Sequence, residues 1–121
     1  MKKILFADDE VNLLHLYREE FSEEGYYVIL AENGKEAVEK FGEEKPDLVV
    51  MDINMPVMDG IESMNIILGK SRKTPIILSS AYPQHKHNYM TWGAEAFVVK
   101  SSDFTELKDK IREALQKEEK K

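Results

Sequence analysis

Leu48-Val49-Val50-Met51-Asp52-Ile53-Asn54-Met55-Pro56-Val57-Met58-Asp59-Gly60 holds an apolar run, an acid at its end, and a loop punctuated by proline and glycine. A short unbroken apolar run reads as a strand buried on both faces, the habit of parallel sheets. The same grammar occurs twice more. Ile4-Leu5-Phe6-Ala7 runs into Asp8-Asp9-Glu10, and Phe97-Val98-Val99 runs into Lys100. Open α/β sheets bind ligands in the crevice beyond the carboxyl ends of their strands. Carboxylates and one ammonium are expected to meet there, a set suited to a divalent cation and a phosphoryl group.

Outward from these runs the chain alternates strand-like and helix-like segments. Val11–Glu24 places Leu14, Tyr17 and Phe21 on one helical face, and Gly25 stops it. Tyr26–Ala31, aromatic and β-branched, reads as a second strand. Asn33-Gly34-Lys35-Glu36 has the form of a capping box, with Asn33 as cap and Glu36 reaching back, opening a helix through Phe41. Pro46 separates that helix from the strand Leu48–Met51. The next helix carries Ile61, Met64 and Leu68 on its apolar side, and a fourth strand, Ile76–Leu78, ends in Ser79-Ser80-Ala81. A short helix around His85–Trp92 stops at Gly93 and is followed by a fifth strand, Ala96–Val99. Asp103-Phe104-Thr105-Glu106 then caps a helix bearing Leu107, Ile111 and Leu115. Five β-α units in succession predict an α/β domain with one five-stranded parallel sheet, doubly wound, joined by right-handed crossovers.

With 121 residues the chain suits one domain, expected to occupy 1–121 with a polar tail over 117–121 that frays and no output domain. The net charge of −6 argues against a general nucleic-acid binder, which needs a basic face. The absence of cysteine excludes disulfides and thiolate chemistry. The apolar run after Lys2 and Lys3 is too short for a signal peptide, and none approaches the roughly 18 residues of a membrane span. A soluble cytoplasmic protein is expected.

In order along the chain, Asp8-Asp9, Asp52 through Gly60, Ser80-Ala81 and Lys100 each follow an expected strand. Together they resemble the receiver domain of two-component response regulators in its single-domain form, chemotaxis-type or phosphorelay-type, over essentially the whole chain. The resemblance implies a (βα)5 flavodoxin-like sandwich. It also implies a magnesium-dependent phosphoacceptor, a signalling domain rather than an enzyme, that assists its own phosphorylation and dephosphorylation. Asp52 would be the nucleophile that becomes an acyl phosphate. Asp9 and Asp52 would ligate Mg2+ directly, Asp8 would hold metal-bound water, and the backbone carbonyl of Asn54 would complete the protein share. Lys100 would offset the carboxylates and then pair with the phosphoryl group. Plainer readings stand beside these: an Asp before Val11 is a common helix cap, and Lys100 could be a solvated surface lysine.

An aspartyl phosphate adds about −1.5 to −2 charges and three strong acceptors. The Ser80 hydroxyl is placed to donate to one of them, and Phe97 holds the position of the family's switching aromatic. That pair would shift a binding surface on the fourth helix, fifth strand and fifth helix. Phe97 reads equally as a plain core aromatic. Ala81 and Tyr82 would form the pocket rim, with Tyr82 screening the acyl phosphate from water. Ser101 stands where the family usually has proline, so a cis bond is not expected after Lys100. The segment Ala81–Gly93 looks short for the family, which predicts a stunted fourth helix. His85 and His87 read as a surface pair rather than a metal site. Trp92, Tyr89 and Met90 suit core packing, or else a partner patch.

The partners implied are a sensor histidine kinase or histidine phosphotransfer protein and a downstream protein target, with the chain monomeric or dimerising on phosphorylation. One alternative is a phosphate-independent receiver-like scaffold. Another is an aspartyl-nucleophile phosphatase of the haloacid-dehalogenase type. Such enzymes carry a second Asp where this chain has Asn54, and there is no room for a cap. A flavin-binding flavodoxin relative shares the fold class, but the acidic pocket would repel the cofactor phosphate unless a cation intervened.

Overall fold

A computed structural model describes residues 1–119. Its elements alternate without exception: β1 (Lys3–Ala7), α1 (Val11–Glu23), β2 (Tyr27–Ala31), α2 (Gly34–Glu44), β3 (Leu48–Asp52), α3 (Gly60–Lys70), β4 (Ile76–Ser80), α4 (Tyr89–Trp92), β5 (Ala96–Val99) and α5 (Thr105–Glu119). All strand pairs are parallel, in the order β2-β1-β3-β4-β5, giving the flavodoxin-like α/β fold expected from the sequence. The reversal of direction between β1 and β3 makes the switch point at which such sheets hold ligands.

Strand alternation divides the core in two. Leu5, Val49, Met51, Leu78 and Phe97 face one layer, packed with Ala37 and Phe41 of α2 and Met64 and Ile67 of α3. Ile4, Phe6, Val50, Ile77 and Val98 face the other, packed with Leu14, Tyr17 and Phe21 of α1 and Leu107 and Ile111 of α5. β3 and β4 are buried at every position, which is why they read as continuous apolar runs.

Local chemistry sets the joints. Asn33 caps α2 by accepting from the Glu36 N–H at 2.8 Å, but the Glu36 carboxylate takes the N–H of Glu32 at 3.3 Å, one residue earlier than a capping box requires. Asp103 accepts from Thr105 N–H at 2.9 Å and not from Glu106. On α3 the buried apolar positions are Met64 and Ile67, while Ile61 and Leu68 are half-buried. The fourth helix is stunted as expected: Pro83–Asn88 winds as a tight 3-10 segment, and only Tyr89–Trp92 is α-helical before Gly93 turns left-handed at φ 95°. Tyr89 and Trp92 are half-buried and pack against the core, whereas Met90 is exposed. α5 continues to Glu119, so 117–119 are helical where a fraying tail was expected; 120–121 lie outside the described residues. Among the described residues no helix is long and apolar enough to cross a membrane.

Candidate phosphoacceptor site

Asp8, Asp52 and Lys100 reach one crevice because β1, β3 and β5 all end there. Asp52 is the last residue of β3, Asp8 follows β1 and Lys100 follows β5. The loop after Asp52 is held tightly. Gly60 N–H donates to the Ile53 carbonyl at 2.8 Å, and a Cβ on Gly60 would collide with the Asp52 carbonyl oxygen. Gly34 meets the same loop from α2, donating to the Met58 carbonyl at 3.0 Å. Between them Met58 N–H bonds back to Pro56 across Val57, whose φ of 69° is costly for a β-branched residue.

One oxygen each from Asp8, Asp9 and Asp52 lie within 4.8 Å of one another. Asp8 and Asp52 are buried, whereas Asp9 is exposed. The Lys100 Nζ stands 2.7 Å from Asp8, 3.4 Å from Asp52 and 3.2 Å from Glu10. Asp8 also accepts from the Glu10 N–H at 2.9 Å, but Glu10 is the N-cap of α1 and no side chain caps that helix, so the plain capping reading of Asp8 does not hold. Lys100 is neither free nor solvated: its side chain is 14% exposed.

Burial pushes the Asp52 carboxyl up to about 7, with the Asp8 charge adding to the rise and the Lys100 ammonium opposing it. Burial raises Asp8 as well, against its hydrogen bond from Lys100. For Lys100, burial favours the neutral amine, but the hydrogen bond to Asp8 and the charges of Asp52 and Asp8 outweigh it and hold the ammonium above its ordinary range. A hard divalent cation would relieve the crowding of three carboxylates, and three oxygen donors of this kind fit Mg2+.

The remaining expected residues are placed less uniformly. Ser80 ends β4, fully buried, and its Oγ accepts from Tyr82 N–H at 3.1 Å, a turn that ties the rim to the strand. Ala81 and Tyr82 are exposed, and Tyr82 stacks edge-on to His85 at 6.2 Å. Phe97 is buried opposite Leu78, its ring centroid 6.3 Å from that of Tyr89, so it lies inward. Asn54 is exposed beyond Asp52. The Lys100–Ser101 bond is trans. Among the described residues the acidic trio is the one cluster able to hold a metal, and His85 and His87 take no part.

One contact went beyond the sequence reading: Glu10, the last acid of the run after β1, supplies a third carboxylate to Lys100.

Comparison with known proteins agrees with this geometry. The sequence profile of the response regulator receiver domain matches residues 4–112. The chain is 36% identical over 120 residues to the chemotaxis protein CheY of Listeria monocytogenes, covering 97% of this chain and 98% of that protein. It is 35% identical over 118 residues to the regulatory protein AtoC of Escherichia coli, covering 96% of this chain but only 26% of that longer protein. Among solved structures, the response regulator TrrA of Thermotoga maritima in complex with Mg(2+)-BeF is 44% identical, with a TM-score of 0.89, over 94% of this chain and 99% of that one. TrrA in complex with the histidine kinase ThkA aligns with a TM-score of 0.87 at the same 44% identity, over 95% of this chain and 99% of that one.

Proposed function

The chain belongs to the response regulator receiver domain family, and on that premise we propose how its own residues divide the work of a phosphoacceptor. An Asp52 carboxylate oxygen attacks phosphorus, forming an O–P bond as the bond to the donor's leaving group breaks and that group departs with the electron pair. Hydrolysis reverses the outcome: water attacks phosphorus, the Asp52 carboxylate is released, and the water proton leaves with the phosphate. Phosphoryl transfer asks mainly for position and for positive charge around the non-bridging oxygens. Lys100, within 3.4 Å of Asp52, supplies part of that charge. Asp8, Asp9, Asp52 and the Asn54 carbonyl would hold Mg2+, which when bound neutralises the phosphoryl oxygens.

Ser80 would donate its hydroxyl to the phosphoryl group, exchanging its role as acceptor for Tyr82 N–H. Phe97, already inward, would remain so while the α4–β5–α5 surface settles into its signalling form. Phosphate would come from a sensor histidine kinase or phosphotransfer protein, as the pairing of TrrA with ThkA suggests, and output would go to a downstream protein. The observation that carries this reading is the convergence of Asp8, Asp9, Asp52 and Lys100 at one end of the sheet.

Intact-mass measurement of wild type and Asp52→Asn, after incubation with a small acyl phosphate with and without Mg2+, tests it. One phosphoryl adduct requiring both the metal and Asp52 is expected. Equal labelling of Asp52→Asn, or labelling indifferent to Mg2+, would overturn it. A folded wild type that takes phosphate from neither the small donor nor a histidine kinase would leave a phosphate-independent scaffold.

A further inference from the structure

Glu10 is an acid at Lys100 to which the phosphoacceptor chemistry assigns no task. An ammonium has three protons to donate, and among the described residues Lys100 meets three carboxylates: Asp8 at 2.7 Å, Glu10 at 3.2 Å and Asp52 at 3.4 Å. The set is full. A phosphoryl oxygen approaching Asp52 can accept a hydrogen bond from Lys100 only where one of the three lets go. Burial decides which. The side chains of Asp8 and Asp52 are 2% and 6% exposed, so either would be left as an uncompensated charge inside the pocket. That of Glu10 is 64% exposed and returns to water on release.

The backbone of Glu10 is fixed while its side chain is not. Its N–H donates to the Asp8 carboxylate at 2.9 Å, and its carbonyl accepts from Leu14 N–H at 3.1 Å as α1 begins. From that anchored start of α1 the carboxylate crosses to the end of β5 and accepts from Lys100 Nζ. A released carboxylate also has somewhere favourable to go. Glu10 is the N-cap of α1, its side chain makes no capping hydrogen bond, and the positive end of the helix dipole faces it. Glu10 stands outside the acidic trio of Asp8, Asp9 and Asp52, so a cation held by the trio does not occupy it.

Building on the phosphoacceptor reading above, we propose that Glu10 is a positioning residue that keeps the phosphoryl group's place on Lys100. At rest it pairs with the ammonium, and it yields that contact when a phosphoryl oxygen arrives. The exchange moves a hydrogen bond and no proton. Glu10 thereby competes with the incoming group, so gain of the phosphoryl group starts from a state in which the contact must be broken. Loss starts with Glu10 already displaced, so its rate does not depend on the contact. A residue that merely stiffened the site would move both rates together.

Two variants of this exposed side chain separate contact from charge. Glu10→Ala removes both. Glu10→Asp keeps a charge at the rim but falls one methylene short of a lysine held by Asp8 and Asp52. At saturating Mg2+, labelling by a small acyl phosphate and decay after donor removal are followed by intact mass. Calorimetry gives the affinity for beryllofluoride, a phosphoryl mimic that undergoes no transfer. Both variants should gain label about three- to fivefold faster and bind beryllofluoride tighter by the same factor, the size expected of an ion pair with one exposed member. Decay should stay within about twofold of wild type, because its starting state and transition state both lack the contact. Faster gain in Glu10→Ala with Glu10→Asp like wild type would assign the effect to rim charge and overturn the exchange. Gain unchanged in both variants, or gain and decay moving together, would overturn it as well. Wild type that neither labels nor binds beryllofluoride would instead sink the phosphoacceptor reading.

Discussion

Asp52 is held in a state that its own chemistry disfavours, and this has a measurable sign. Its folded pKa, about 7, lies above the ordinary 3.8. Between those values the folded state binds more protons than the unfolded chain, so metal-free stability falls as pH rises from about 4 to about 7 and then levels off. Asp8 shifts in the same direction. Asp52→Asn removes the larger contribution while leaving Lys100 its contacts with Asp8 and Glu10. Urea titrations without Mg2+ should therefore find Asp52→Asn more stable than wild type at pH 8, on the order of 1–3 kcal/mol, and nearly equal at pH 4. A variant less stable at pH 8 would show Asp52 to be a net stabiliser. At the rim, Tyr82→Ala should shorten the phosphoryl lifetime by admitting water; a lifetime unchanged or longer would remove the screening role of this half-exposed ring.

At the scale of elements, the joint between β3 and α3 is the most exacting. Gly60→Ala would drive a methyl group into the Asp52 carbonyl, backbone against backbone, and should cost about 3 kcal/mol or more with loss of labelling. Gly42, in α2, has nothing within 4 Å of a would-be Cβ, so Gly42→Ala should stabilise by about 0.5–1 kcal/mol and leave labelling unchanged. Thermal or denaturant melts separate the two cases. The strands and long helices were legible because burial on both faces writes an unbroken apolar run and helix faces write a 3.6-residue period. The strand-end residues were legible for the same reason, since each follows such a run. What could not be read was geometry set by neighbours. The Glu36 carboxylate settled on Glu32 instead of Asn33, and α3 buries Ile67 more deeply than the half-buried Ile61 and Leu68 that pack beside it. Ser79 was read at the end of the fourth strand, but its place directly opposite Asp52 is set by strand register, which the sequence does not write.

At the scale of the whole molecule, the strand ends gather three carboxylates into one crevice. With a net charge of −6 and three carboxylates in one crevice, a divalent cation favours the folded form over the unfolded one. At about 100 times its dissociation constant Mg2+ should add about 2.7 kcal/mol, roughly 5–10 °C in melting temperature at pH 8. The gain should shrink at pH 5, where Asp52 is protonated, and in Asp9→Asn; a gain indifferent to both would place the ion elsewhere. The strand order carries one more consequence. Asp8 and Asp52 rise from β1 and β3, which are flanked on both sides, whereas Lys100 rides on β5, which is paired with β4 alone. Edge elements open at lower free energy than central ones. The acids are thus moored in the most persistent part of the sheet and their countercharge in the least, so transient peeling of β5 would disarm the crevice while the rest of the fold stands. Competence for chemistry is in this sense a tighter condition than being folded, and amide exchange along β5 marks how often the molecule meets it.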